Sequence, residues 1–192
     1  MRCLSYTHMS SIGVTKTFAI DLDSVLADTM IVWIKQYNKM NHTAITKNEI
    51  TSWDIGSVLP ISPDDISKIF NDTWKYRWYD VPPSEPELAR IIEKIHRRGY
   101  RISVLTKRER PTVQYVAKWL DYHDIYSDDL IFVYDNAPKS EYPFDILIDD
   151  APPNIVDVMP PRTGILFNQP WNKEFDWPLR VNSLSEAEQK IL

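Results

Sequence analysis

Two short apolar runs that end in aspartates constrain this chain more than any other feature of its sequence. The run FAI ends just before Asp21 and Asp23, and the run ILI ends just before Asp149 and Asp150. Each run reads as a buried strand. Carboxyl groups crowded at two strand ends repel one another unless a cation or a shared proton relieves the repulsion. The pattern therefore predicts an acidic site at the edge of a sheet, and oxygen ligands of this kind suit Mg²⁺.

The second half of the chain alternates helices and strands. Apolar periodicity predicts a helix over 85–98 that ends at Gly99, a further helix opened by Pro111, and a terminal helix after Ser183. We expect strands at 101–106, 130–134, 145–149 and 164–167, with a short helix at 154–158. This alternation indicates an α/β fold with a doubly wound, mostly parallel, Rossmann-like sheet. Ligands of such sheets bind beyond the carboxyl ends of the strands, near the topological switch point.

A helical segment interrupts the alternation after the first strand. Thr46 with Glu49 and Ser62 with Pro63 are typical of helix starts. The later gap between Thr106 and Lys139 has room for only one helix and one strand, so any cap must come from the first gap. We predict that residues 1–16 are a disordered extension and that residues 30–79 form a small helical cap. The α/β core domain is then formed by two pieces of the chain, residues 17–29 and 80–192.

Four motifs occur in an order that resembles the haloacid dehalogenase-like hydrolase superfamily. The first is an Asp-x-Asp after an apolar strand, here Asp21 and Asp23, and the second is a Thr that ends a strand, here Thr106. The third is a Lys, here Lys139, and the fourth is a final acidic pair, here Asp149 and Asp150. One Asp-x-Asp alone is a weak signal, whereas the ordered set spans most of the chain. Departures from the pattern are Ser24, where the superfamily often has Gly, and the charged loop that follows Thr106.

Within that superfamily the chain looks most like the 5′(3′)-deoxyribonucleotidases. The likeness rests on the segment ITKNEITSWD at 45–54, on the ten-residue step from Lys139 to Asp149, and on FNQPWN at 167–172. It implies a phosphatase that removes phosphate from nucleoside monophosphates in deoxyribonucleotide catabolism.

The resemblance also implies roles for the motif residues. Asp21 would be the nucleophile that forms an aspartyl-phosphate, and Asp23 the general acid and then the general base. Thr106 and Lys139 would hold the phosphate and assist catalysis. Mg²⁺ would be bound by Asp21, the backbone carbonyl of Asp23, Asp149 and Asp150. Which member of the final pair binds it directly is left open.

Substrate choice must come from outside these motifs, because they touch only the phosphoryl group. The cap is rich in aromatic residues, and a nucleobase can stack on such a ring. Trp53 is our first candidate and Trp33 the second, although ordinary core packing is the alternative for any one ring. Lys107 is a further candidate for phosphate binding, with Arg108 as its rival.

Three other functions fit parts of the pattern. A phosphatase for another small phosphoester, such as a sugar phosphate, would use the same motifs. A receiver-like module, phosphorylated on Asp21 as a signal, is disfavoured because it would not need Asp23. A dehalogenase of the same fold is disfavoured because its chemistry needs neither Mg²⁺ nor the second aspartate.

Composition limits the partners and the location. The net charge of −5, from 22 basic and 27 acidic residues, argues against binding to a nucleic-acid polymer and leaves a small phosphorylated substrate. The single Cys3 excludes an internal disulfide and favours a reducing, cytoplasmic location. No apolar stretch approaches the roughly 18 residues that span a bilayer. An oligomer is compatible with the sequence.

Overall fold

A parallel β-sheet is the framework of the computed structural model, which describes residues 15–134 and 137–191. Within these ranges the sheet has six strands in the order β3-β2-β1-β4-β5-β6, and every pairing is parallel. The strands are β1 (Thr17–Ile20), β2 (Arg101–Thr106), β3 (Asp129–Phe132), β4 (Ile146–Asp149), β5 (Thr163–Phe167) and β6 (Arg180–Val181). The predicted fold class is confirmed.

Six α-helices accompany the strands in the described part of the chain. They are α1 (Thr29–Asn41), α2 (Pro63–Tyr76), α3 (Leu88–Arg97), α4 (Val113–Tyr122), α5 (Pro152–Ile155) and α6 (Leu184–Ile191). Local chemistry explains their ends. Ser62 accepts a hydrogen bond from the Asp65 amide at the start of α2, and Gly99 takes a φ of 91° after α3. Helix α5 begins before the predicted residue 154, because Pro152 and Pro153 preset its first turn.

Strand β1 lies in the middle of the sheet and is buried on both faces. Phe18 and Ile20 pack into the larger apolar cluster, while Ala19 packs into the smaller cluster on the other face. Register places Ile20 between Val104 of β2 and Ile148 of β4. The carboxyl ends of these three strands are therefore neighbours, and the residues that follow them share one edge of the sheet.

The cap segment (residues 30–79) has a small apolar cluster of its own, and indole rings make two of its contacts with the rest of the protein. Its cluster includes Trp33 and Tyr37 of α1 and Ile69 of α2, and it takes in Trp171 from beyond β5. Trp74 of α2 instead packs into the main core, edge-to-face with Trp119 at 6.0 Å between ring centroids. The cap segment is thus seated on the core through indole rings at two places.

The start of the chain is described only in part. Residues 1–14 of the predicted extension lie outside the described residues, and Thr15 and Lys16 are exposed ahead of β1. Among the helices of the described ranges, none has both the length and the apolar character needed to cross a membrane.

Candidate active site

Three aspartates meet where β1 and β4 end. Carboxylate oxygens of Asp21, Asp149 and Asp150 all lie within 4.8 Å of one another, and all three residues are buried. The Asp21 amide donates to the Ile148 carbonyl at 2.9 Å, so the β1–β4 pairing continues into the site. The two acidic strand ends singled out in the sequence thus form one cluster.

Lys139 lies inside this acidic cluster. Its ammonium group donates hydrogen bonds to Oδ1 of Asp21 and, at 2.6 Å, to Oδ2 of Asp149. The residue opens a 3₁₀ turn at Lys139–Glu141 and is only 1% exposed. A lysine is rarely buried to this degree unless acidic groups pair with it.

The charges of the cluster do not balance. Burial raises the pKa of Asp21 to about 7; Lys139 opposes this rise, and Asp149 and Asp23 add to it. Burial, with the Asp149 and Asp21 carboxylates, also holds the pKa of Asp150 well above its usual range. Burial alone would lower the pKa of Lys139, but the neighbouring carboxylates raise it. One ammonium group is shared by two carboxylates, those of Asp21 and Asp149, while Asp150 lies beside them, and a further cation would relieve the excess negative charge.

Asp149 and Asp150 differ in how their oxygens are used. Both oxygens of Asp149 accept hydrogen bonds, from Lys139, from the Ala151 amide at 2.9 Å and from Asn154 at 3.1 Å. Asp150 accepts one side-chain bond, from the Trp171 indole to Oδ2 at 2.8 Å. Among the described donors, none bonds Oδ1 of Asp150. The donor set of oxygens alone suits Mg²⁺, and Asp150 has the freer carboxylate.

Asp23 belongs to the same loop as Asp21 but has different partners. Its Oδ1 accepts a hydrogen bond from the Trp74 indole at 2.9 Å, and its Oδ2 lies 2.9 Å from Nε of Arg108. Its carboxylate is not part of the three-aspartate cluster. It is 18% exposed, more than any of those three side chains.

Ser24, at the position where the superfamily that the motifs resemble often has Gly, has a backbone conformation that suits glycine. Its φ is 66°, a left-handed conformation that costs little only for glycine. Two short bonds hold it: its amide donates to the Ala27 carbonyl at 2.6 Å, and its carbonyl accepts from Gln169 at 2.6 Å. Gln169 and Trp171 both belong to the FNQPWN segment at the end of β5, which therefore donates hydrogen bonds to Ser24 and to Asp150 of the site.

The remaining predicted site residues are the two candidates for phosphate binding, at the end of β2 and just after it, and the two tryptophan candidates for base stacking in the cap segment. Thr106 is buried at the end of β2, and Lys107 follows it with an exposed side chain. Although the residue is exposed overall, partial loss of water around its ammonium group and the nearby Lys139 lower the pKa of Lys107, while the Asp149 and Asp21 carboxylates oppose the change. Trp33 is fully buried and stacks on Tyr37 at 5.4 Å, which leaves it no open face in this structure. Trp53 is 53% exposed.

Sequence reasoning missed several side chains of the site. Asn154 and Trp74 each contact a carboxylate, yet neither lies in a motif that predicts such a contact. Arg108 was a candidate for phosphate binding, as the rival of Lys107, but its contact with the Asp23 carboxylate was not predicted. Trp171 and Gln169 belong to the FNQPWN segment, for which the resemblance implies no role at the site. The hydrogen-bond partners of Trp171 and Gln169 are more than 20 residues away in sequence, so no local pattern could have identified these two contacts.

Comparisons with known proteins agree with this geometry. Residues 15–192 match the family described as "5′ nucleotidase, deoxy (Pyrimidine), cytosolic type C protein". A 5′(3′)-deoxyribonucleotidase of Bacillus subtilis (strain 168) is 26% identical over 182 residues, which cover 92% of this chain and 99% of that protein. A 5′(3′)-deoxyribonucleotidase of Bacillus phage SPbeta matches to the same extent. The crystal structure of a predicted phosphatase from Clostridium acetobutylicum shares the fold, with a TM-score of 0.66, 14% identity and coverage of 93% of this chain and 99% of that one.

Proposed function

We propose that this chain, which belongs to the 5′ nucleotidase, deoxy (pyrimidine), cytosolic type C family, hydrolyses deoxynucleoside monophosphates. The chain is a phosphoric monoester hydrolase of the haloacid dehalogenase-like superfamily, and the proposed reaction passes through an aspartyl-phosphate with the help of Mg²⁺. The observation that carries the proposal is the buried cluster of Asp21, Asp149, Asp150 and Lys139 at the carboxyl ends of adjacent strands. The resemblance seen in the four motifs is confirmed by the family match.

The proposed reaction has two steps. In the first, an oxygen of Asp21 forms a bond to phosphorus as the ester bond breaks, and Asp23 gives a proton to the leaving oxygen. In the second, Asp23 takes a proton from a water molecule that attacks the phosphorus. The Asp21–phosphorus bond then breaks, which restores the carboxylate and releases inorganic phosphate. Lys139, already bonded to Asp21, would stabilise negative charge in both steps.

The metal proposal follows from the free oxygens of the cluster. Asp21 and Asp150 would bind Mg²⁺ through their carboxylates, and the backbone carbonyl of Asp23 is the third protein ligand that the resemblance implies. Asp149 is occupied by Lys139 and Asn154, and we assign it to holding the lysine. When bound, Mg²⁺ would supply charge neutralisation for the phosphoryl group.

The phosphate itself would be held by Thr106, Lys107 and Lys139. Thr106 ends the strand beside β1, and Lys107, the next residue along the chain, would supply a second cation for the phosphate. We propose a cytoplasmic location, in keeping with the single cysteine and with the cytosolic type named in the family description. The proposed substrate is a single nucleotide rather than a polymer.

Replacing Trp53 with alanine tests the nucleotide part of the proposal. If the exposed ring stacks on the base, its loss should remove roughly 1–3 kcal/mol of stabilisation. We expect kcat/KM for deoxynucleoside monophosphates to fall by about tenfold to a hundredfold. The value for p-nitrophenyl phosphate should barely change, because the cap ring has no base to contact. Release of inorganic phosphate measures both.

A matched control is available on the same segment. Tyr76 is 66% exposed on α2, and Tyr76→Ala should leave the ratio of the two kcat/KM values unchanged. Equal losses on both substrates in Trp53→Ala would mean that Trp53 has no part in recognising the base. A preference of the unmodified enzyme for sugar phosphates would favour the other small phosphoester instead.

A further inference from the structure

The Asp23 carboxylate is held between the cap segment and the core. Trp74, which donates to one oxygen, belongs to α2 of the cap segment, whereas Arg108, which faces the other oxygen, follows β2 of the core. The two contacts, each of 2.9 Å, engage both oxygens. None of the four motifs contains either partner.

Arg108 is itself held by the cap segment. Its guanidinium lies over the ring of Phe70, which is also on α2, at 4.7 Å from the ring centroid. Its backbone amide donates to Oγ1 of Thr106 at 3.3 Å, so the loop that carries it is tied to the end of β2. A planar guanidinium can stack on a ring and face a carboxylate at once, which a lysine ammonium does less well.

The pairing of Arg108 with Asp23 is close but not locked. Nε of Arg108 is buried and has no aligned hydrogen-bond acceptor among the described residues, although Oδ2 of Asp23 is 2.9 Å away. The contact therefore rests on charge and on the Phe70 stack rather than on a well-directed hydrogen bond. Such a contact can orient the Asp23 carboxylate and still allow this carboxylate to leave Arg108 and turn toward the substrate.

We propose that Arg108 and Trp74 are positioning residues for Asp23 and that they link its orientation to the seating of α2 on the core. The proposal rests on the proposed function, in which Asp23 protonates the leaving oxygen. Trp74 and Phe70 are both on α2, so a displacement of that helix changes both contacts to Asp23. The acid–base group is thus correctly aimed only while α2 is seated against the core.

The dependence of rate on the leaving group distinguishes this role from a structural one. Phenyl phosphate has a poor leaving group that needs a proton, whereas p-nitrophenyl phosphate has a good one that does not. Neither ester carries a nucleobase. A misplaced Asp23 should slow the first substrate far more than the second, because general acid catalysis contributes about 10²–10⁴-fold only where the proton is needed.

The test compares Arg108→Gln and Trp74→Phe with the unmodified enzyme on both esters in the presence of Mg²⁺. Trp74→Phe keeps an aromatic ring in the core and removes the indole donor. We expect kcat/KM for phenyl phosphate to fall at least about tenfold more than that for p-nitrophenyl phosphate in each variant. Arg108→Lys, which retains the charge, should recover part of the loss. Arg110→Gln is the matched control, because Arg110 is in the same loop but stacks on Tyr134 at 4.6 Å.

Other outcomes overturn the proposal. Equal losses on both esters, with a lower melting temperature, would show that these residues only maintain the fold. A raised KM with unchanged kcat in Arg108→Gln would make Arg108 a phosphate ligand instead. Unchanged kinetics in both variants would show that Asp23 needs neither partner. Should the unmodified enzyme release no phosphate from either ester or from any deoxynucleoside monophosphate, the proposed function itself fails, which separates that failure from the others.

Discussion

Asp21→Asn is expected to lower turnover of every phosphomonoester by at least about a thousandfold while leaving the fold intact. Asparagine keeps the shape of the side chain but lacks the charged oxygen that attacks phosphorus. The substitution also removes one negative charge from a buried cluster in which the carboxylates of Asp21 and Asp149 share Lys139. We therefore expect the melting temperature to stay the same or rise, as is common when a functional charge is removed. Phosphate release and thermal unfolding measure the two effects.

Asp145→Asn provides the matched control for this substitution. Asp145 directly precedes β4, at the end of the strand away from the cluster, and accepts a hydrogen bond from the Thr17 amide at 2.7 Å. Its loss should leave kcat close to that of the unmodified enzyme. An Asp21→Asn protein that retained most of its activity would rule out the proposed nucleophile.

Removal of divalent cations by a chelator should abolish activity, and added Mg²⁺ should restore it. The physical reason is the excess of negative charge around Asp21, which repels a phosphate dianion unless a cation is bound. Ca²⁺ should support the reaction poorly, because it prefers more ligands and a looser geometry than Mg²⁺. Full activity in the presence of chelator would refute the metal proposal.

A readout that does not depend on activity accompanies this prediction. A cation that binds only the folded state raises the melting temperature. Mg²⁺ should therefore stabilise the unmodified protein, and Asp150→Asn should lose most of this effect because its freer carboxylate is the proposed ligand. Lys190→Gln, a change to an exposed residue of α6, should retain it.

The strands of the core could be predicted because their signals are local. Apolar runs such as 18–20 and 146–148 identify buried strands, and parallel strands bring their carboxyl ends together. The same reasoning predicts from the sequence that Asp21, Thr106 and Asp149 lie at neighbouring strand ends. Strand β6 was missed because two residues are too few to show a period.

The surroundings of Asp23 could not be predicted in the same way. Trp74 is 51 residues from its carboxylate partner, and the contact exists only because α2 packs on the core. The aromatic content of the cap segment gave no means of separating a buried ring such as Trp33 from an exposed one such as Trp53. Helical periodicity predicts which side of a helix is buried, but it does not predict which ring meets a ligand.

The most direct test of the account is phosphate release by the unmodified protein from a panel of phosphomonoesters, with Mg²⁺ and with chelator. The panel contains deoxynucleoside 5′- and 3′-monophosphates, ribonucleoside monophosphates, sugar phosphates and p-nitrophenyl phosphate. We predict Mg²⁺-dependent release, with the highest kcat/KM for a deoxynucleoside monophosphate. Release from no member of the panel in the presence of Mg²⁺ would contradict the claim that the buried cluster around Asp21 is a phosphatase site.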